Sequence, residues 1–319
     1  MLAIALGRPL GVDDRDCDAE FPIQVDDDNL QAYLDNQLTQ PRTPSLMVGF
    51  VALAALFKIG GEVLRRVYSV TSRVLSEVDL QVAIDELDVQ LTDWCERLPT
   101  AFKYHPNNDQ QMRISSNLAS SYYAILITLH RKSLSPRRIR SRSTPDSNSV
   151  PKAVQSARAC IRLAPSAKDV ISPSHHLAFF IQFLSTSAVI VLLFAMHAPD
   201  EATAATAMGE VQGSLTTLRA LEGRWPGARK CTELLDSLVE VARGVMKRGD
   251  QSSSPVTSTP ASSHVRSSSQ GSTFQHLRQR SPTLPREGKN FTQPRKYVCR
   301  PILKLNRFFA VKLKQTHHA

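Results

Sequence analysis

What this 319-residue chain has little of narrows it first. Its five cysteines are Cys17, Cys95, Cys160, Cys231 and Cys299, and no two lie near each other. Cys95 and Cys160, the nearest pair in sequence, are 65 residues apart, so no CxxC or Cys/His spacing of a zinc site is present. An odd, scattered set fits reduced thiols acting as small buried apolar groups, and hence an intracellular protein. The apolar run after Met1 reaches only from Leu2 to Leu6 and has no basic stretch before it, so a secretory signal is not expected. Strand signals are missing: no alternating apolar–polar run stands out, and no Gly-Asn type hairpin turn. A GxSxG elbow, a phosphate-binding P-loop, GxGxxG and HExxH are absent as well. The expectation is a non-enzyme whose own residues hold no cofactor and no metal.

Charge is placed unevenly. Residues 1–249 carry 27 Lys+Arg against 27 Asp+Glu, whereas residues 250–319 carry 12 against 2. The whole surplus of +10 therefore belongs to the tail, and it gives no reason for the body to bind nucleic acid. Within the body, Asp13 to Asp35 holds nine acids and one base, Arg15.

What the chain does have is helical apolar periodicity around one uncharged twenty-residue run, Leu177–Met196. That length reaches the threshold for a membrane span. Gln182, Ser185, Thr186 and Ser187 interrupt it, and no Lys/Arg cluster flanks it to set an orientation. Amphipathic segments on both sides are ready to surround it, so the preferred reading is the central helix of a helical domain. The alternative is a membrane-associated helical protein anchored by Leu177–Met196. Asp26-Asp27-Asp28 opens a short helix closed by Pro41 and Pro44. Ser45 caps an apolar helix that Gly60-Gly61 either breaks or lets pack closely. Lys58 interrupts this second run after some thirteen residues, too few to span. Leu80, Ile84, Leu87, Leu91 and Trp94 share one face of the next helix, and Ile114, Leu118, Tyr122, Ile125 and Leu129 share one face of another. Residues 133–151 read as an exposed basic loop. Pro151 opens a helix with Val154, Ala157 and Ile161 inward, and Pro165 stops it. After the twenty-mer, Met208, Val211, Leu215 and Leu218 form one stripe, and Cys231, Leu234, Leu238, Val241 and Val245 form another. The fold class is all-α: seven or eight helices over 1–249 around a buried apolar helix. Residues 250–294 are too poor in apolar groups to offset chain entropy and read as disordered, ahead of a basic terminus from Lys296 to Lys314.

Few residues suggest chemistry. Asp26-Asp27-Asp28 lacks the alternate oxygens, glycine and distal glutamate of a calcium loop. His175 and His176 are adjacent and do not share a helix face. Arg131, Lys132, Arg137, Arg138, Arg140 and Arg142 form a basic run readable as a nuclear-import signal, a phosphate contact or simply a solvated loop, with Arg137, Arg138, Arg140 and Arg142 its centre.

The order of landmarks is more specific. Leu6-Gly7-Arg8-Pro9, Asp13-Asp14, Phe21-Pro22 and Asp27-Asp28-Asn29-Leu30 come first. Leu56-Phe57-Lys58-Ile59 with Arg65-Arg66-Val67-Tyr68, Leu91-Thr92-Asp93-Trp94 with Leu98-Pro99, and Tyr122-Tyr123 through Leu129-His130-Arg131 follow in register. This run resembles the fungal-specific transcription factor domain, the middle homology region of fungal zinc-cluster regulators, over roughly residues 1–245. Lys132 stands where that family's LHRP motif has proline. The resemblance implies a helical regulatory region of a nuclear transcription factor that controls metabolic or biosynthetic genes, with co-regulators, the transcription machinery or a second copy as partners and no membrane. Family members bind zinc, and through it DNA, by a six-cysteine cluster near the N-terminus. No such cluster occurs in these residues, and the match begins at the Leu6-Gly7-Arg8-Pro9 run without the helices that precede it in the family, so the expectation is an N-terminally truncated domain, whether a fragment or a divergent short form, with DNA read only through the missing part.

Overall fold

Serine, asparagine and aspartate side chains set the starts of the long helices. In this computed structural model, Ser45, Ser76, Asn108, Ser174 and Asp200 each accept a backbone N–H two or three residues on. Each such cap is worth about 1 kcal/mol. The structure describes residues 1–37, 45–70, 72, 75–103, 106, 108–134 and 148–252. The tail beyond Ser252 and residues 135–147 lie outside the described residues, and so do the expectations made for them. In chain order the helices are α1 (Leu2–Leu6), α2 (Asp27–Leu34), α3 (Leu46–Tyr68), α4 (Glu77–Arg97), α5 (Thr100–Lys103) and α6 (Asp109–His130). They continue with α7 (Ser149–Val170), α8 (His175–Ala195), α9 (Glu201–Leu221) and α10 (Gly227–Ser252). No strand occurs among the described residues, so the fold is all-α.

The uncharged run is the centre of the packing. α8 lies against α7, α9, α10 and α6, and the short α1 touches it too. Leu177, Phe180, Ile181, Phe183, Leu184, Ala188, Ile190, Val191, Leu192 and Ala195 are buried along it. Its hydroxyls do not disturb this, because Ser185, Thr186 and Ser187 each donate to the carbonyl four residues back. α3 packs on α4 and α6 and completes the other half of the core. The predicted faces of α4 and α6 point inward, except that Ile114 is only partly buried.

Two expectations change, at Pro165 and along α10, and two are made more specific, at Gly60-Gly61 and Asp26. Pro165 does not stop α7, which runs on to Val170. The proline ring lies on the exposed side, while Leu163, Ala164, Ala167 and Ile171 stay packed and hold the helix together past it. Gly60-Gly61 does not break α3, and close packing is the reading that holds. A Cβ on Gly60 would lie 3.1 Å from Ile125 and 3.3 Å from Ile4, and one on Gly61 would lie 3.1 Å from an Asp14 carboxylate oxygen. Asp26 gives α2 no side-chain cap; its carboxylate accepts from the Ser45 hydroxyl at 2.7 Å and the Leu46 N–H at 2.9 Å, at the start of α3. The stripe Leu234, Leu238, Val241 and Val245 faces outward, and Ala228, Leu235, Val239 and Ala242 are buried instead.

Candidate functional site

Several of the landmark residues tie α3, α4 and α6 together along the length of α3. Trp94 donates its indole N–H to the Ala52 carbonyl at 2.9 Å and stacks on Tyr122 with ring centroids 5.6 Å apart, tying α4 to α3 and α6. Arg65 holds the acidic arm to α3 through Asp14 at 2.7 Å and Asp13 at 3.5 Å, with Glu62 also at 2.7 Å. Tyr68 donates to the Thr128 carbonyl at 2.6 Å, and the Arg131 guanidinium lies over its ring at 5.2 Å. Burial pushes the Tyr68 phenol above its ordinary range despite nearby Arg131. Lys132 donates to the Val67 carbonyl at 2.9 Å, near the end of α3. The departure from the LHRP motif therefore puts a cation where α3's last carbonyls need a donor.

A polar chain runs through the interior next to this. Asp88 on α4 contacts Nε2 of His130 at 3.0 Å and Lys152 on α7 at 2.5 Å. His130 Nδ1 is 3.2 Å from the Ser149 hydroxyl. Burial pushes the Asp88 carboxyl up, but hydrogen bonds and charge from His130 and Lys152 outweigh it and hold the group below its ordinary range. Serine, histidine and aspartate in one hydrogen-bonded line suggest acyl-transfer chemistry. His130 and Ser149 are only 1% and 2% exposed, so no substrate carbonyl reaches the hydroxyl. The chain fastens α4, α6 and α7 together.

Above it lies a cavity of about 50 Å³ between α1, α6 and α8. Arg131, Thr128, Gln182 and Thr186 supply its polar lining, and Ile4, Ile127 and Phe183 much of its apolar lining. In the sequence Gln182 and Thr186 stand only as interruptions of an apolar helix, and Arg131 stands both in a motif and, with Lys132, at the head of the basic run; the structure turns Arg131 onto Tyr68 and Lys132 onto the Val67 carbonyl. Sequence reasoning missed Asp88 and Lys152 altogether. The available signal was positional: Asp88 follows Ile84 by four and precedes Leu91 by three, so a charge stands at the margin of an inward face.

Among the described residues no group of His, Cys, Asp or Glu side chains is placed to hold a metal ion. His175 and His176 have ring centroids 4.1 Å apart at the start of α8, and burial, with His175 beside it, lowers the His176 imidazole. Arg137, Arg138, Arg140 and Arg142 lie outside the described residues. α3 and α8 are both long and apolar enough to cross a membrane. For α3 this departs from the expectation set by Lys58, since the helix runs 23 residues. The packed face of α8 is covered by protein, which does not favour the anchor reading.

Relatives of this chain are fungal transcriptional regulators. The transcriptional activator protein acu-15 of Neurospora crassa is 31% identical over 137 residues, 41% of this chain and 14% of that protein. Cutinase transcription factor 1 alpha of Fusarium vanettenii is 23% identical over 242 residues, 75% of this chain and 26% of that protein. An uncharacterized transcriptional regulatory protein of Schizosaccharomyces pombe is 22% identical over 205 residues, 63% of this chain and 24% of that protein. The chain thus spans about a quarter or less of the length of these relatives. No family profile matches it. No solved structure matches it.

Proposed function

We propose that this chain is part of the helical regulatory region of a fungal zinc-cluster-type transcription factor. It acts in the nucleus, without catalysis, on metabolic or biosynthetic genes transcribed by RNA polymerase II. The observation that carries this reading is the 242-residue similarity to a named transcription factor, covering 75% of the chain and so most of its helical body. The sealed Ser149–His130–Asp88 line supports a scaffold in place of an active site. Zinc binding and DNA reading belong to a six-cysteine cluster that these residues do not contain. The body's part is to bias activation through helix packing that an effector, a co-regulator or a second copy shifts. Arg137, Arg138, Arg140 and Arg142 act as the nuclear-import signal in this reading.

The test fuses the chain to an unrelated DNA-binding module in fungal cells and follows a reporter and the location of the fusion together. Nuclear accumulation with a changed reporter output is expected, and replacing the four loop arginines by alanine should reduce accumulation. Sedimentation with membranes in the absence of detergent, with the reporter unmoved, would sink the proposal in favour of the anchor reading.

A further inference from the structure

We propose that the cavity between α1, α6 and α8 binds a short monocarboxylate. Its lining holds one cation and one amide with donors that no described residue engages. Arg131 uses Nε toward the Tyr68 hydroxyl at 3.4 Å, and among the described residues its two terminal nitrogens have no hydrogen-bond partner. The Gln182 side-chain amide likewise has none among the described residues. A guanidinium and an amide N–H together match the two oxygens of a carboxylate.

The neighbouring hydroxyls narrow the ligand further. Thr128 donates to the Ala124 carbonyl at 2.8 Å, and Thr186 donates to the Gln182 carbonyl at 2.9 Å. Each therefore offers the cavity only lone pairs. A phosphate dianion would meet a single cation and two acceptors, which disfavours it; a carboxylate carries one charge, and its bonds go to Arg131 and Gln182. The remaining lining is apolar, with Ile4, Ile127 and Phe183, and suits a short alkyl chain. About 50 Å³ takes the carboxylate with one or two carbons, and a longer chain would leave by the open side.

The binding claim stands on the cavity alone. It survives if the transcriptional reading fails, and that reading survives if nothing binds here. Calorimetric titration of the purified full-length chain with propionate, propionamide and inorganic phosphate, at matched ionic strength, tests it. Propionate should bind saturably with Kd on the order of 1 mM or tighter, and the other two should not. Gln182→Leu should weaken propionate about tenfold or more, and Arg131→Gln should abolish it. Arg131 also meets Tyr68, so its variant carries a folding risk; Gln182 has no such partner among the described residues and keeps the test sharp. Equal binding of propionamide or phosphate, unchanged affinity in Gln182→Leu, or no saturable heat with propionate would each overturn the proposal.

Discussion

Two kinds of helical glycine sit in this chain, and only their neighbours tell them apart. At Gly49 a Cβ would come within 2.5 Å of the Ile114 side chain and 3.2 Å of Phe102, so α3 meets the start of α6 through the missing methyl. Gly213 on α9 has nothing within 4 Å of the same position. Gly49→Ala should cost about 1–3 kcal/mol through overpacking, and Gly213→Ala should add about 0.4–1 kcal/mol by restricting the unfolded chain. Urea denaturation of the two variants reads both signs; a stabilised Gly49→Ala would mean that Ile114 yields freely. Asp88 makes the other residue-scale case. Asp88→Asn removes a charge held between His130 and Lys152 and should cost about 1–3 kcal/mol near neutral pH. Because the native carboxyl titrates below its ordinary range, its contribution is present above about pH 4 and is lost as the pH falls through that lowered value. The gap between wild type and variant should close in acid. A gap independent of pH would mean that the loss comes from shape and not from charge.

On α10 two apolar stripes run side by side, and periodicity cannot choose between them. Leu234 with Leu235, and Leu238 with Val239, are adjacent pairs that keep helical spacing whichever member is taken. The structure buries Leu235 to 2% exposure and leaves Leu234 at 58%. Leu235→Ala should therefore cost about 2–5 kcal/mol, while Leu234→Ala should stay within about 0.5 kcal/mol; comparable losses at both would place the helix in the other rotation. The inward faces of α4 and α7 were legible because each has a polar opposite side that fixes its rotation. Pro165 breaks the local rule that proline ends a helix because apolar residues on both sides of it, Ile161, Leu163, Ala164, Ala167 and Ile171, are buried, and that packing outweighs one lost hydrogen bond. The Asp26 carboxylate at the start of α3 and the chain of Lys152, Asp88, His130 and Ser149 join residues 19 to 64 positions apart, and local pattern carries no sign of such pairings.

For the whole molecule the decisive feature is that one uncharged helix packs its buried face against four others, so a titratable group against that face reports on opening of the core. Cys160 on α7 is such a group. Its burial pushes the thiol up to about 11, and a hydrogen bond with Ser187 on α8 only partly opposes this. The unfolded thiol releases its proton near pH 8.5. The native state thus keeps a proton that the unfolded state loses. The resulting stability is complete below pH 8.5 and drains away as the pH rises toward 11, by an amount on the order of 3 kcal/mol. Tyr68, raised in the same direction, extends the decline above pH 10. Urea midpoints between pH 7 and pH 10 should fall for the wild type and fall less for Cys160→Ala, whatever that variant costs at pH 7. Alkylation gives a second reading of the same packing: exposed Cys17 should react at once and Cys160 only as fast as the fold opens. If Cys160 were labelled as quickly as Cys17, α7 and α8 would have to part without global unfolding, and α8 could no longer be regarded as the centre that holds the other helices together.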